Sequence, residues 1–134
     1  MTYDRTQREQ FLAAYVEAAL WSSSDEDGEP LDRLPQVQEA YSTIDVLEAD
    51  TAQQMREDCK AFMDDNMADL LAAEGVRPYS AAQGGHDFWL TRNGHGAGFW
   101  DRGLGEVGER LTTAAKAYGG IDLLVDGDGL ICGP

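Results

Sequence analysis

The segment from residue 50 to residue 75, DTAQQMREDCKAFMDDNMADLLAAEG, separates apolar from acidic side chains with helical spacing. This pattern predicts a long helix that buries one side, so other elements of the chain must cover that side. Thr51 predicts where the helix begins and Gly75 where it ends. On a helical wheel, Met55, Cys59, Phe62, Met63, Asn66 and Leu70 share the apolar side, and Glu57, Asp58, Asp64, Asp65 and Asp69 share the acidic side.

Two other segments also place apolar residues at helical spacing. TQREQFLAAYVEAALW predicts a helix that begins at Thr6, and GEVGERLTTAAKAYGG predicts a helix that Gly119 closes. Residues 22–46 hold serines, a glycine, prolines and four acids within five residues, a composition typical of a solvated loop.

Around residue 81 the hydrophobic period changes from that of a helix to that of a strand. HDFWLTRNGHGAGFWDRG, residues 86–103, alternates, turns at glycines and returns, which predicts a β-hairpin. IDLLV, DGDG and LIC predict a second hairpin. We therefore expect an α+β fold, with a small antiparallel sheet of two hairpins packed against about three helices. Its 134 residues predict one domain, with an acidic helical half (1–80) and a hairpin–helix–hairpin half (81–134).

Charge excludes several classes of function. Twenty-five acids against ten bases give a net charge of −15, with 18 acids and 6 bases in residues 1–80. Nucleic acids and anionic membranes bind basic surfaces, so we expect neither as a direct partner. No stretch has the length of a membrane-spanning helix, and MTYDRTQREQ lacks the features of a signal peptide, which predicts a cytoplasmic protein.

The sequence predicts no cofactor and no metal site. Cys59, on the apolar side of its helix, and Cys132, in the last strand, have no ligand partners at metal-binding spacing. GLGEVG spells a dinucleotide-binding motif but lacks the parallel βαβ unit that such a site needs. DGDG lacks the further oxygen ligands of a calcium loop and is expected to form a plain turn.

The segment 86–103 leaves two alternatives to a purely structural turn. His95 could be the base of a small hydrolase, with Asp101 orienting its ring and with Arg92 and Arg102 holding a phosphate or carboxylate. The spacing matches no nucleophile elbow or zinc triad. The second alternative is an interaction or assembly module that uses Trp89, Phe99 and Trp100 of the hairpin.

The acidic residues predict a partner-binding surface. Two ridges of the second helix, Glu57 with Asp64 and Asp58 with Asp65 and Asp69, space their carboxylates by about 10 Å per seven residues. A basic groove could bind such ridges as a substitute for phosphates. The loop adds a second anionic stretch, which consists of Asp25, Glu26, Asp27 and Glu29.

HDFWLTRNGHGAGFWDRG, continued through AAKAYG and IDL to the last DG turn, resembles small proteins of bacteriophages and prophages, and WSSSDEDGEPLD is similar to them too. The resemblance implies a phage-borne protein that acts in the bacterial cytoplasm, without implying an activity. We therefore expect an accessory protein that binds a host protein with a basic surface. A nucleic-acid-handling or defence complex, such as a CRISPR effector or a restriction enzyme, fits that description. A homodimer is compatible with the exposed ends of the apolar stripes.

Overall fold

A computed structural model describes residues 1–133 of the chain. Its helices are α1 (Arg5–Ser22), α2 (Pro35–Gln38), α3 (Ala49–Val76), α4 (Ala81–Arg92) and α5 (Glu106–Lys116). Strands β1 (Leu124–Val125) and β2 (Ile131–Cys132) pair antiparallel, and 3-10 turns occupy Leu31–Arg33, Thr43–Val46 and Phe99–Asp101. The coarse prediction of helices with a small antiparallel sheet is confirmed. Within residues 1–133, no helix combines the length and apolar character needed to cross a bilayer.

The predicted hairpin at 86–103 is wrong, because residues 86–92 complete helix α4. The hydroxyl of Ser80 caps this helix by accepting the backbone N–H of Gln83 at 3.0 Å. Every residue from Asp87 to Arg92 is buried, so the second half of this helix has no solvent-facing side to set a helical period. The described residues thus contain five helices and one hairpin, instead of two hairpins against about three helices.

Helix α3 confirms the predicted apolar stripe but differs at its ends. It begins at Ala49, before Thr51, because the Glu48 carboxylate accepts the backbone N–H of Asp50 at 3.1 Å. It ends at Val76, one residue after Gly75. Asn66 has non-helical dihedral angles (φ −120°, ψ 18°) and donates its side-chain N–H to the Phe62 carbonyl at 3.0 Å, which kinks the helix.

Helices α1, α3 and α4 form the aromatic centre of the core. Helix α1 begins at Arg5, before Thr6, because Asp4 forms a capping box with Gln7. The ring of Phe88 in α4 stacks on that of Phe62 in α3, with centroids 4.1 Å apart. On its other side, Phe88 stacks against Tyr15 in α1 at 5.2 Å. The core therefore joins the two predicted halves of the chain.

Glycine lets α1 and α4 approach closely. A Cβ atom on Gly85 would lie 1.9 Å from the backbone oxygen of Phe11, and one on Gly84 would lie 3.2 Å from the Phe11 ring. The Gly85 contact cannot be relieved by a side-chain shift, because the atom belongs to the backbone, whereas the Gly84 contact is tight but needs only a small movement of the Phe11 ring. The α1–α4 interface therefore depends on Gly85 above all.

Replacing Gly85 with alanine should lower the free energy of unfolding by about 3 kcal/mol, because α1 and α4 must separate to admit the methyl group. Urea denaturation measures the change. Gly75→Ala is the matched control, since a Cβ at that helical position meets nothing within 4 Å. It should leave stability unchanged or raise it by up to about 1 kcal/mol. Equal effects of the two substitutions would refute the close-approach argument.

Candidate functional site

The acidic ridges predicted on α3 are interrupted by ion pairs. Asp58 pairs with Arg92 at 2.9 Å, and Asp69 pairs with Arg110 at 2.8 Å. These ion pairs neutralise two of the five carboxylates of the predicted ridges, and they connect α3 to α4 and α5. The helical wheel predicts both acids on the acidic side of α3, whereas they are half-buried beside the apolar stripe.

Asp64 is also neutralised, by two bases at once. Its carboxylate accepts hydrogen bonds from Lys60 at 2.6 Å and from Arg8 of α1 at 2.7 Å. These hydrogen bonds lower the pKa of the Asp64 carboxyl below its usual value. Only Glu57 and Asp65 of the predicted ridges are exposed and free of ion pairs among residues 1–133.

The acidic loop at 25–29 is an ordered turn. One oxygen of the Asp25 carboxylate accepts the backbone N–H groups of Asp27 and Glu29, both at 2.9 Å, and Gly28 takes a positive φ of 83°. The carboxylates of Glu26, Asp27 and Glu29 are left exposed. Asp25 therefore shapes the turn, and its three acidic neighbours face solvent.

The hairpin turn between β1 and β2 repeats the same geometry. Asp126 accepts the N–H groups of Asp128 at 2.8 Å and Leu130 at 2.9 Å, and Gly129 has a φ of 82°. The prediction of a plain turn at this DGDG segment is confirmed. Both turns follow the pattern Asp-x-Asp-Gly, so this repetition in the sequence is a signal for the shared turn geometry.

The turn at 25–29 follows α1, and the hairpin turn contacts the segment that connects α1 to α3. The Gln36 amide donates to the Gly129 carbonyl at 3.1 Å, and the N–H of Glu48 donates to the Ile131 carbonyl at 2.8 Å. Residues 23–50 are thereby joined to residues 122–132. We call these two segments the acidic end. Its twelve acids are Asp25, Glu26, Asp27, Glu29, Asp32, Glu39, Asp45, Glu48, Asp50, Asp122, Asp126 and Asp128.

The acidic end has only one base, Arg33, which gives it a net charge of −11. None of its carboxylates forms an ion pair within residues 1–133. Sequence reasoning found four of these acids and missed the eight that lie between residues 32 and 50 or in the last hairpin. The net charge of residues 81–134 gave no sign of the three hairpin acids, because bases elsewhere in that half offset their charge in the sum.

Arg92 is buried and performs a structural role. Its guanidinium donates to the Gly119 carbonyl at 2.8 Å, the Tyr118 carbonyl at 3.2 Å and the Tyr15 hydroxyl at 3.0 Å, besides pairing with Asp58. It also lies over the Tyr118 ring, 5.4 Å from the centroid. These contacts join α1, α3, α4 and the segment after α5.

Asp87 is fully buried in a second polar cluster. Arg102 donates to it from Nη2 at 2.9 Å and from Nε at 3.2 Å, and the Tyr79 hydroxyl and Gln83 amide also donate. The hydrogen bonds to Asp87 raise the pKa of the Arg102 guanidinium. His86 Nδ1 lies 3.4 Å from the Asp87 carboxylate, and the His86 ring contacts the half-exposed Trp21 at a tilt of 30°, with centroids 5.7 Å apart.

The four residues proposed for a hydrolase are not joined in one constellation. Arg92 pairs with Asp58, and Arg102 forms its closest ion pair with Asp87. His95 is exposed, and no hydrogen bond joins its ring to another residue within 1–133. Asp101 accepts the N–H of Gly98 at 3.0 Å, which closes the loop after α4.

The aromatic residues of segment 86–103 have different surroundings. Trp89 is buried and donates its indole N–H to the Ser22 hydroxyl at 2.8 Å, and Phe99 is also buried. Trp100 keeps 53% of its surface exposed. Of the three residues proposed for an aromatic interaction surface, only Trp100 is therefore available to a partner.

The glycine motif GLGEVG has a packing role in the structure. Gly108 of GLGEVG lies against the Phe99 carbonyl, which a Cβ atom would approach to 2.9 Å, so this glycine lets α5 pack on the preceding turn. Within residues 1–133, no group of three or more His, Cys, Asp or Glu side chains could hold a metal ion. Both cysteines are free thiols.

No protein-family model matches the chain, and no significant match is found among curated proteins or among solved structures.

Substituting Asp87 with asparagine should lower the free energy of unfolding by about 3 kcal/mol, because it leaves the Arg102 guanidinium beside a neutral amide in a buried site. Guanidinium denaturation measures the loss. Asp65→Asn removes a carboxylate from an exposed position of α3 and serves as the control, with an expected change within about 0.5 kcal/mol. A loss for Asp87→Asn no larger than that of the control would contradict a structural role for this cluster.

Alkaline pH should destabilise the protein through its buried tyrosines. Burial raises the pKa of Tyr3, Tyr15 and Tyr79, and for Tyr79 the nearby Asp87 carboxylate adds to the increase. Unfolded tyrosines ionise near pH 10 while these three stay neutral in the folded protein, so the tyrosine contribution to stability is retained below about pH 10 and falls above it. Circular dichroism from pH 8 to 12 measures the fall, and absorbance at 295 nm reports ionisation.

Tyr3→Phe is the informative variant for this pH dependence. Its hydroxyl is buried and has no hydrogen-bond partner within residues 1–133, so removing it should cost little stability at pH 7. The decline above about pH 10 should become shallower, because one fewer proton is released on unfolding. An unchanged slope would show that Tyr3 does not contribute to alkaline unfolding.

Proposed function

We propose that this protein is an accessory protein of phage type that binds a nucleic-acid-handling or defence protein of a bacterial host through its acidic end. The observation that carries the proposal is the concentration of twelve unpaired acids and one base in two segments that meet in space. Most proteins mix the two signs over their surfaces, because grouped like charges repel and cost stability. A basic partner would offset that repulsion.

The acidic end also has an ordered backbone. The two Asp-x-Asp-Gly turns fix their main chains by carboxylate hydrogen bonds, so the backbone that carries the neighbouring acids is ordered before a partner arrives. Less backbone conformational entropy is then lost on binding. Carboxylates on an ordered backbone can replace the phosphates that a nucleic-acid-binding groove normally contacts.

Exposed leucines supply the apolar contacts that a stable interface requires. Leu124 is 62% exposed and Leu130 is 37% exposed, and both belong to the last hairpin, where Asp122, Asp126 and Asp128 surround them in the chain. Interfaces commonly combine an apolar centre with a charged rim. This arrangement supports the hairpin as the central part of the binding surface.

The residues first proposed on α3 have different roles in this proposal. Asp58, Asp64 and Asp69 are engaged in ion pairs, so replacing them would disturb folding together with any binding. Glu57 and Asp65 are exposed on the surface of α3 and lie outside the acidic end. A test of binding must therefore use exposed acids that form no ion pair.

Neutralising five exposed carboxylates of the acidic end should weaken partner binding about tenfold or more and make the remainder less sensitive to salt. The immobilised protein is exposed to a nuclease-treated bacterial lysate, eluted with increasing salt, and the eluted proteins are identified by mass spectrometry. Wild type should retain a nucleic-acid-binding protein that duplex DNA competes off. The variant carries Glu26→Gln, Asp27→Asn, Glu29→Gln, Asp122→Asn and Asp128→Asn.

A control variant removes the same five charges from other exposed positions and should keep the partner at near wild-type affinity. Retention of the same proteins by both variants would refute the acidic end as the binding surface. A partner that DNA does not compete off would refute nucleic-acid mimicry while leaving a protein interaction. The control carries Glu17→Gln, Glu57→Gln, Asp65→Asn, Glu106→Gln and Glu109→Gln.

A further inference from the structure

A groove of about 530 Å³ runs along the seam between α1 and α3. Its floor is formed by the half-buried Leu12, which lies beside Tyr3, Cys59 and Met63, whose exposed fractions are only 2%, 1% and 3%. Burial raises the pKa of the Cys59 thiol well above its usual value, so the groove presents no reactive thiolate. The volume lies in the range of small-molecule sites, which is about 300–1,000 Å³.

Basic side chains line this groove in an otherwise acidic protein. Four of the ten bases of the chain are here, namely Arg5, Arg8, Arg56 and Lys60. Arg56 is exposed and makes no ion pair within residues 1–133. Of the bases outside the groove, Arg92, Arg102 and Arg110 are held in ion pairs with carboxylates of other elements.

Two of the other three bases of the groove are held only loosely. Arg5 pairs with Glu9, and these two side chains are 93% and 66% exposed. Lys60 pairs with Asp64, and the Lys60 side chain is 73% exposed. Pairs this exposed contribute little to stability, so Arg5 and Lys60 can turn toward a ligand at small cost. Arg8 is less exposed and holds Asp64 across the seam at 2.7 Å. The groove thus combines an apolar floor with a rim of four bases and one carboxylate, Glu9, in which Arg56 is the free cation.

We propose that this groove binds a single-chain aliphatic carboxylate as a monomer, with the hydrocarbon chain on the floor and the carboxylate at Arg56 and its basic neighbours. The hydrocarbon chain then contacts the apolar floor, and the carboxylate contacts the basic side chains. A guanidinium group binds a carboxylate through two parallel hydrogen bonds. This site lies outside the acidic end and does not depend on the function proposed for it.

The charge of the whole protein selects this ligand over larger anions. Nucleic acid or an anionic bilayer would bring many negative charges close to a body that carries −15. A monomer with one negative charge meets the least repulsion, and the charges beyond the groove are partly screened at physiological salt. The occupant is therefore expected to carry one charge on an apolar body.

Met63 offers a local probe of the proposed binding. In protein labelled with ¹³C at the methionine methyl groups, titration with decanoate below its micelle concentration should shift the Met63 signal in a saturable manner. Met55 lines a different cleft and serves as the internal reference. The Met63 signal is assigned by Met63→Leu. Unchanged circular dichroism during the titration shows that the fold persists.

Two variants with the same loss of charge test the carboxylate contact. Arg56→Gln should weaken decanoate binding about tenfold, because it removes the free cation of the rim. Arg33→Gln removes an exposed cation from the acidic end and should leave binding unchanged. Decyltrimethylammonium, with the same chain and the opposite charge, should not reproduce the saturable shift of Met63.

Three results would overturn the proposal. If 1-decanol shifts Met63 as strongly as decanoate does, the groove recognises only the apolar chain. If Arg56→Gln binds decanoate as wild type does, the rim does not select the anion. If decanoate has no effect, the monomer site is refuted, and binding to phosphatidylglycerol vesicles under the same conditions would assign the groove to a lipid surface.

Discussion

The guanidinium of Arg92 connects elements that are far apart in the chain. A buried cation is unfavourable unless hydrogen bonds and an opposite charge surround it. Here these partners come from α1, α3 and the segment after α5, through Tyr15, Asp58 and the carbonyl groups of Tyr118 and Gly119. Helix α4, which carries Arg92, must therefore be in place together with these three elements. The last segment leads directly into the β-hairpin, so the position of the acidic end depends on a contact in the core.

Sequence patterns predicted the elements that have one solvent-exposed side. Helices α1, α3 and α5 follow helical periods, and the last hairpin follows a turn motif, because local chemistry governs each of them. Residues 86–92 of helix α4 show a strand-like pattern, because Asp87–Arg92 are all buried and set no helical period. The remaining sign was Ser80 followed by Gln83, a capping pattern with an observed cap hydrogen bond.

The candidate sites were harder to predict, because they depend on pairing across the chain. A helical wheel gives the direction of a carboxylate and says nothing about its partner. Asp58 meets Arg92, which is 34 residues away, and Asp69 meets Arg110, which is 41 residues away. Predicting the acidic end required knowing that residues 23–50 contact the last hairpin, a fact fixed by the Gln36 and Glu48 hydrogen bonds. Composition alone located the excess of acids in the first half and so missed the hairpin.

The distribution of bases explains why the acidic end can exist without unfolding the protein. Arg92, Arg102 and Arg110 neutralise carboxylates of the core or its margins, where an unpaired charge would cost most stability. Four others gather along the α1–α3 groove, and Arg77 and Lys116 also lie outside the acidic end, so Arg33 is the sole base among its twelve acids. Repulsion is thereby confined to exposed turns, where water and salt screen it. Since the Asp25 and Asp126 turns order the backbone that carries these charges, the repulsion relieved by a basic partner would add to affinity without a large loss of backbone freedom.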